Sequence, residues 1–434
     1  MKTAFVLSCL LAPGLFFASC QKREAAASPS DQPAGAQQPA AEQQQAAVDA
    51  PLLDFQRQLL DLAFEAASKF PMYPHHKNRS RAQKIVADTA LELDNPTLAV
   101  AYAPRINGWR RGEVYADYAW NCARRGVGRN LESYLQLAQG VIDEAAKAEN
   151  VQEWRVDSIR IKMVRAYEEM GKNDEARKVG AQILDGSADS VNEQWASAIA
   201  DRARTMSKAV AIHEIETKDR AFIANTESLG NQNASLVLLA RLHGVHFDDP
   251  EVRGPIEQRV LNTYTKVPPE IRLGATAIVI ENCIEHGDQE AARKLIGEAM
   301  ELIDSLTWRP RNRIPQVTRF VTLRAKAGDT DRARLELDAL LQEYHEKTRD
   351  ELQDMHRCEV LREIALVWHV LGETEQAVEL LSQAIEEGME NPNARPRCFD
   401  FVETCAAMAK NGVEPSATLW ERLREICNNL SDPW

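Results

Sequence analysis

Turn-forming residues and flat rings are scarce in this chain: 20 glycines, 19 prolines and 6% aromatics in 434 positions. That is too few for the many short strands and tight turns of an all-β sandwich or barrel. Charge of one sign is also short. Fifty-two basic residues face 65 acidic ones, a net charge of -13, so the surface repels phosphate and a general nucleic-acid binder is excluded. Long apolar runs are missing beyond the first twenty residues, and a mean hydropathy of -0.40 excludes a polytopic membrane protein. With 44% apolar and 27% charged residues the chain is still rich enough to fold. At this length it must form several domains or one elongated repeat array, because single cores stop growing earlier.

Residues 1–19 read as an export signal. Lys2 supplies a positive start, Ala4 to Phe17 an apolar run of 14 residues, and Ala18 and Ser19 the small residues before a cleavage site. The run is too short to cross about 30 Å of hydrocarbon, and Pro13 and Gly14 interrupt it. The segment Phe17, Ala18, Ser19, Cys20 resembles the lipobox of bacterial lipoproteins. The resemblance implies cleavage before Cys20, lipidation of that residue, and a membrane attachment through the N-terminal lipid. Phe17 stands where the family usually has Leu; the other reading is an ordinary secreted protein. Gln21, where an Asp would favour inner-membrane retention, points to the outer membrane, facing the periplasm. From Cys20 to Ala50 the chain is mostly Ala, Gln, Pro and Ser, a composition that predicts a disordered linker.

From Pro51 to Trp434 one unit recurs. Gly171, Gly287, Gly328, Gly372 and Gly412 each precede an alanine by five residues: Ala176, Ala292, Ala333, Ala377 and Ala417. The glycines stand 116, 41, 44 and 40 residues apart, and 116 is close to three periods. Such a period marks a solenoid. The glycine suits a left-handed helix end, the polar residue after it the start of the next helix, and the alanine a close helix crossing. Apolar spacing on both flanks, as in Ile159, Met163, Val164 and Leu335, Leu337, Leu340, predicts an αα-hairpin. Further hairpins are expected before Gly126, around Trp195 to Met206, and before Gly244, with Leu52 to Ala67 and Ala82 to Leu93 as the opening pair. The expectation is an all-α solenoid of about nine hairpins, a continuous rod that must hide its ends. The unit resembles the tetratricopeptide (TPR) repeat, best at Val164, Tyr167, Gly171 and Ala176, although the period exceeds the family's 34 and Ser187 to Val267 is degenerate. The resemblance implies a partner protein or peptide held in a groove of first helices, and no catalytic role or cofactor.

Lys162, Arg165, Arg319 and Arg362 are the candidates for facing that groove. A second series, Arg110, Arg155, Arg272, Arg313, Arg357 and Arg397, stands 15 or 16 residues before a turn. It reads either as a basic stripe for carboxylates or as arginines pairing with acids at the ends of neighbouring second helices, the simpler account. His243, His246, Asp248 and Asp249 have the close spacing of metal ligands, but without an HExxH pattern they read as a loop, and no metal is expected. No phosphate loop or nucleophile elbow occurs. The repeats run almost to Trp434, which leaves no room for an appended catalytic domain, and no pocket gathering two carboxylates is expected. The alternatives to a scaffold are an envelope enzyme on a helical solenoid and a glycan-binding lipoprotein using Trp109, Trp154, Trp195 and Trp308. In the last hairpin, antiparallel packing would set Cys398 opposite Cys427, where a disulfide could staple the terminal repeat; otherwise all six cysteines of the body are small buried groups.

Overall fold

The computed structural model describes residues 48–147, 153–183, 203–224, 229–262 and 264–434. The export signal, Cys20, most of the linker, and Trp195 lie outside them. The described residues contain helices and no strand, and none of the helices is long and apolar enough to cross a membrane.

Eighteen helices carry the architecture among the described residues. They are α1 (Asp54–Ser68), α2 (Met72–Glu92), α3 (Pro96–Tyr102), α4 (Arg110–Arg124), α5 (Leu131–Ala146), α6 (Glu153–Glu169) and α7 (Asn173–Gly180), then α8 (Lys208–Ala224), α9 (Leu229–Val245), α10 (Pro250–Asn262), α11 (Pro269–Glu285) and α12 (Gln289–Asp304), then α13 (Pro310–Lys326), α14 (Thr330–Glu343), α15 (Asp354–Val370), α16 (Thr374–Met389), α17 (Ala394–Asn411) and α18 (Ala417–Asn429). Prolines open α3, α11 and α13, where the missing N–H costs nothing. All five turn glycines have positive φ, between 71° and 87°. The residue after the glycine also ties one repeat to its predecessor: Lys172 to Glu132, Asp288 to Arg253, and Glu373 to Arg334.

The chain is an all-α solenoid of αα-hairpins. Its first helices, α2, α4, α6, α9, α11, α13, α15 and α17, pack on one another in succession more closely than the second helices do. The array therefore curves with the first helices inside. The one step in this succession that the described residues do not contain is from α6 to α9.

Closure corrects the picture of an open rod. α1 packs along α17, and α2 packs on both α17 and α4, so the two ends of the array meet. Leu59, Leu60, Ala63 and Phe64 of α1 are fully buried. The Gln56 amide donates to the Ala409 carbonyl at 2.8 Å, and the Lys69 ammonium to the Asn428 carbonyl at 3.2 Å. Phe70 meets Phe399 and Trp434 with ring centroids 5.5 and 4.8 Å apart. α1 thus takes the place of second helix to α17, and α18 packs outside it.

Two expectations fail for that reason. Ala176, Ala292, Ala333 and Ala377 are buried where their helices cross, but Ala417 is exposed, because α18 does not cross α17 as the others cross their partners. The disulfide is absent as well. Cys398 and Cys427 are free thiols that meet α1 at carbonyls one turn apart, the first donating to the Ala66 carbonyl at 3.4 Å and the second lying 3.9 Å from the Leu62 carbonyl. Burial pushes the Cys427 thiol up to about 11. Gly244 is a further correction: it lies within α9 instead of ending a helix, and a Cβ there would stand 2.6 Å from Asn282 Oδ1.

If α1 closes the array, Phe64→Ala should lower stability by about 3–5 kcal/mol and accelerate amide exchange in Ala394–Asn411, more than 300 residues away in sequence. Exchange that changed only within Asp54–Glu92 would show that α1 belongs to α2 alone.

Candidate functional site

The first helices carry a band of ionisable side chains where they meet. On one arc, Lys84 of α2 holds both oxygens of Asp88 at 2.6 and 2.8 Å and stands 4.0 Å from Glu113 of α4. Glu113 accepts a hydrogen bond from Ser158 of α6, and one turn along, Asp117 of α4 takes both its bonds from Lys162 of α6 at 2.7 Å. On the other arc, Thr318 and Arg319 of α13 face Glu363 of α15, and Arg362 of α15 donates to Glu403 and Thr404 of α17 at 2.9 and 3.2 Å. Arg319 also lies within the field of Glu281 of α11.

The four groove candidates therefore do not form a free basic stripe. Lys162 and Asp117 have side chains only 10% and 11% exposed and neutralise one another. Arg362 is paired with Glu403, and Arg319 is buried within the fields of Glu363 and Glu281. Arg165 lies over the Trp120 ring, 3.9 Å from its centroid. The physical cause is the period. Residues 41 to 45 apart stand at equal height on adjacent first helices, so Asp117 meets Lys162 and Arg362 meets Glu403. Opposite charges one repeat apart were the available signal in the sequence. Removing one partner of such a buried pair typically costs 3–5 kcal/mol, because the other charge is left alone.

The arginine series behaves as the simpler account expects where acids are near. Arg313 pairs with Asp304 and Glu343, and Arg357 with Glu390, each acid at the end of a second helix. Arg272 donates to the Leu261 carbonyl in the last turn of α10, and Arg397 to the Ser431 carbonyl just beyond α18. Arg110 and Arg155 lie over Trp109 and Trp154. Those two rings meet edge to face with centroids 5.3 Å apart, and Trp308 donates to the Ile303 carbonyl. These three tryptophans are packing groups.

The four residues with metal-like spacing do not converge. His246 Nε2 meets the Met206 carbonyl at 3.1 Å, and Asp249 pairs with Lys208 at 2.7 Å. His243 turns the other way, into the core, where its Nε2 is 3.0 Å from Glu257 Oε1 and its Nδ1 3.2 Å from the Asn282 amide nitrogen. Beside Glu257, between α10 and α12, lies a cavity of about 260 Å³ lined by Gly254, Gln258, Asn262, Ala291, Lys294, Leu295 and a second carboxylate, Glu298. Two carboxylates do share a pocket, against expectation, because Glu257 and Glu298 stand on facing second helices.

Several inner carboxyls are held away from their ordinary titration. Burial, reinforced by the Asp117 charge, lifts Asp88 to about 6 against the pull of Lys84 and Lys162. Burial and the Glu359 charge lift Glu363 to about 7. Glu359, one turn away, ends below the usual range: burial works against its charge, but His356, Arg362 and Arg311 outweigh it. Asp400 is 6% exposed, its Oδ2 has no hydrogen-bond partner, and Gly388 packs so closely that a Cβ there would lie 3.0 Å from it. Burial lifts it to about 7, with Arg362 opposing.

The sign follows from the raised value. The protonated Asp400 contributes stability that is full below its unfolded value near 4 and is lost as pH rises through about 7. Asp400→Asn, which keeps the neutral form, should be more stable than the parent by a few kcal/mol at pH 8, and the gap should close near pH 4. Denaturant midpoints at the two pH values check this; an equal gap at both would refute it.

No family model matches the chain, and no curated protein does. Among solved structures it is similar to one described as a circular tandem repeat protein with novel repeat topology and enhanced subunit contact surfaces. The two share 15% identity over 87% of this chain and 94% of the other, with a TM-score of 0.21.

Proposed function

We propose that the chain is a non-enzymatic, TPR-like interaction scaffold of a bacterial cell envelope, tethered by a lipid on Cys20 and holding a partner protein or peptide against its first helices. The observation that carries this reading is the curved inner layer itself. Its helices are cross-braced by ion pairs one repeat apart and closed by α1, so a partner would meet a face already fixed in shape. The pairing also defines the partner's chemistry. A face of mutually neutralised charges suits a mixed polar surface better than an acidic tail.

The tether is consistent with this arrangement. Cys20 lies 28 residues before Val48, the first described residue. Its folded end is fastened: the Val48 carbonyl accepts from Arg125 at 3.0 Å, and the Ala50 N–H donates to the Asp94 carbonyl at 2.8 Å.

A photo-crosslinking residue should be placed at 311, an inner position that is partly exposed, and separately at 335 on a second helix, where Leu335 is 69% exposed. A discrete adduct from the inner position and none from 335 supports the groove; the reverse pattern ends it. In the same cells Cys20→Ser should release the chain from the membrane fraction, and retention would refute lipidation there.

A second reading has one specific observation in its favour. Glu359 and Glu363, one turn apart on α15, are pushed towards opposite protonation states, as an acid and base pair requires. An envelope glycan hydrolase built on the solenoid would use them. Hydrolysis of cell-wall glycan by the purified chain, lost in Glu363→Gln with folding intact, would replace the scaffold reading with this one; no hydrolysis by the parent would remove it.

A further inference from the structure

We propose that His243, Glu257 and Cys283 bind one divalent cation of the zinc class. The three residues come from three successive helices, α9, α10 and α11, and their ligand atoms all lie within 4.8 Å of one another. His243 Nε2 is 3.0 Å and Cys283 Sγ 4.0 Å from Glu257 Oε1. In a tetrahedral zinc site, bonds of about 2.0–2.3 Å set donor atoms roughly 3.3–3.8 Å apart. Shifts below about 1 Å would convert the present cluster into that geometry. Imidazole, thiolate and carboxylate together suit zinc and cobalt better than magnesium or calcium, which take oxygen ligands.

Charge favours the same occupant. Arg253 lies between Glu257, at 2.5 Å, and Asp288, so two carboxylates share one guanidinium and one negative charge is left over. Adding a dication and ionising the Cys283 thiol brings the local sum to zero. Glu257, the one half-buried member of the three, also lines the cavity between α10 and α12, the side from which an ion would enter.

One rearrangement is required, and it identifies a positioning residue. The Asn282 amide nitrogen now faces His243 Nδ1 at 3.2 Å and the Ala240 carbonyl at 2.8 Å, which leaves the ring proton on Nε2, bonded to Glu257. For Nε2 to ligate, the proton must move to Nδ1, and Asn282 must turn its carbonyl oxygen towards it. Asn282 then fixes the tautomer. The competing account is a closed hydrogen-bonded node that needs no ion.

The full-length chain, purified without a histidine tag and stripped with chelator, should be titrated with Co²⁺ and Zn²⁺. Expected are one equivalent bound, a thiolate-to-cobalt charge-transfer band that Zn²⁺ bleaches, loss of that band in Cys283→Ala, and a 10–100-fold weaker affinity in Asn282→Ala. The parent spectrum alone decides the matter should a variant fail to fold. No stoichiometric binding, or cobalt bound without the thiolate band, would overturn the proposal in favour of the closed node.

Discussion

A helical hairpin is apolar on more than one face and cannot cover itself. Every other feature of this chain answers that constraint. Neighbouring hairpins bury one another in the middle of the array, but the two end hairpins have only one neighbour each. Repeat proteins usually meet this with polar caps. Here the first helix crosses to the last repeat and fills the slot of its second helix, so the exposed face of each end becomes the cover of the other. The consequence runs outward from α1. Residues separated by the length of the chain, Gln56 and Ala409 or Lys69 and Asn428, become hydrogen-bond partners, and α18 is left as an outer layer.

What the sequence made legible follows from which interactions are local. The turn glycines could be read because a left-handed residue at a helix end is a single-position requirement, and all five satisfy it. Four of the five alanines were readable because the close crossing lies within one hairpin. Ala417 failed because its environment depends on a helix more than 350 residues earlier, and no local pattern carries that information. Cys398 and Cys427 failed for the same reason. Gly244 failed for another. Its missing side chain makes room for Asn282 of the next first helix, a contact between repeats, whereas glycine in sequence is read first as a turn.

The inner face shows the same division. Lys162, Arg319 and Arg362, chosen to face a groove, sit where first helices meet. Their partners were not foreseen because the pairing is between repeats: each base finds an acid 41 to 45 positions away, or in the case of Arg319 on two neighbouring helices at once. His243 is similar. Its sequence neighbours His246 and Asp249 suggested a cluster, yet helical geometry turns it away from both and towards Glu257 and Cys283 on the two following helices.

Buried ion pairs between first helices are poor sources of net stability, since the loss of hydration roughly cancels the attraction. Their effect here is on register. An apolar seam between helices tolerates sliding by a turn, because leucines and alanines repeat along it. A lysine held by both oxygens of one aspartate does not, because a slip of one turn would strand two charges in the core. In a closed array register matters more than in an open one: small errors between repeats add up, and α1 must reach α17 at the correct height. The paired charges and the closing helix are thus two parts of one solution, the first fixing the advance from repeat to repeat and the second using that advance to bring the ends together.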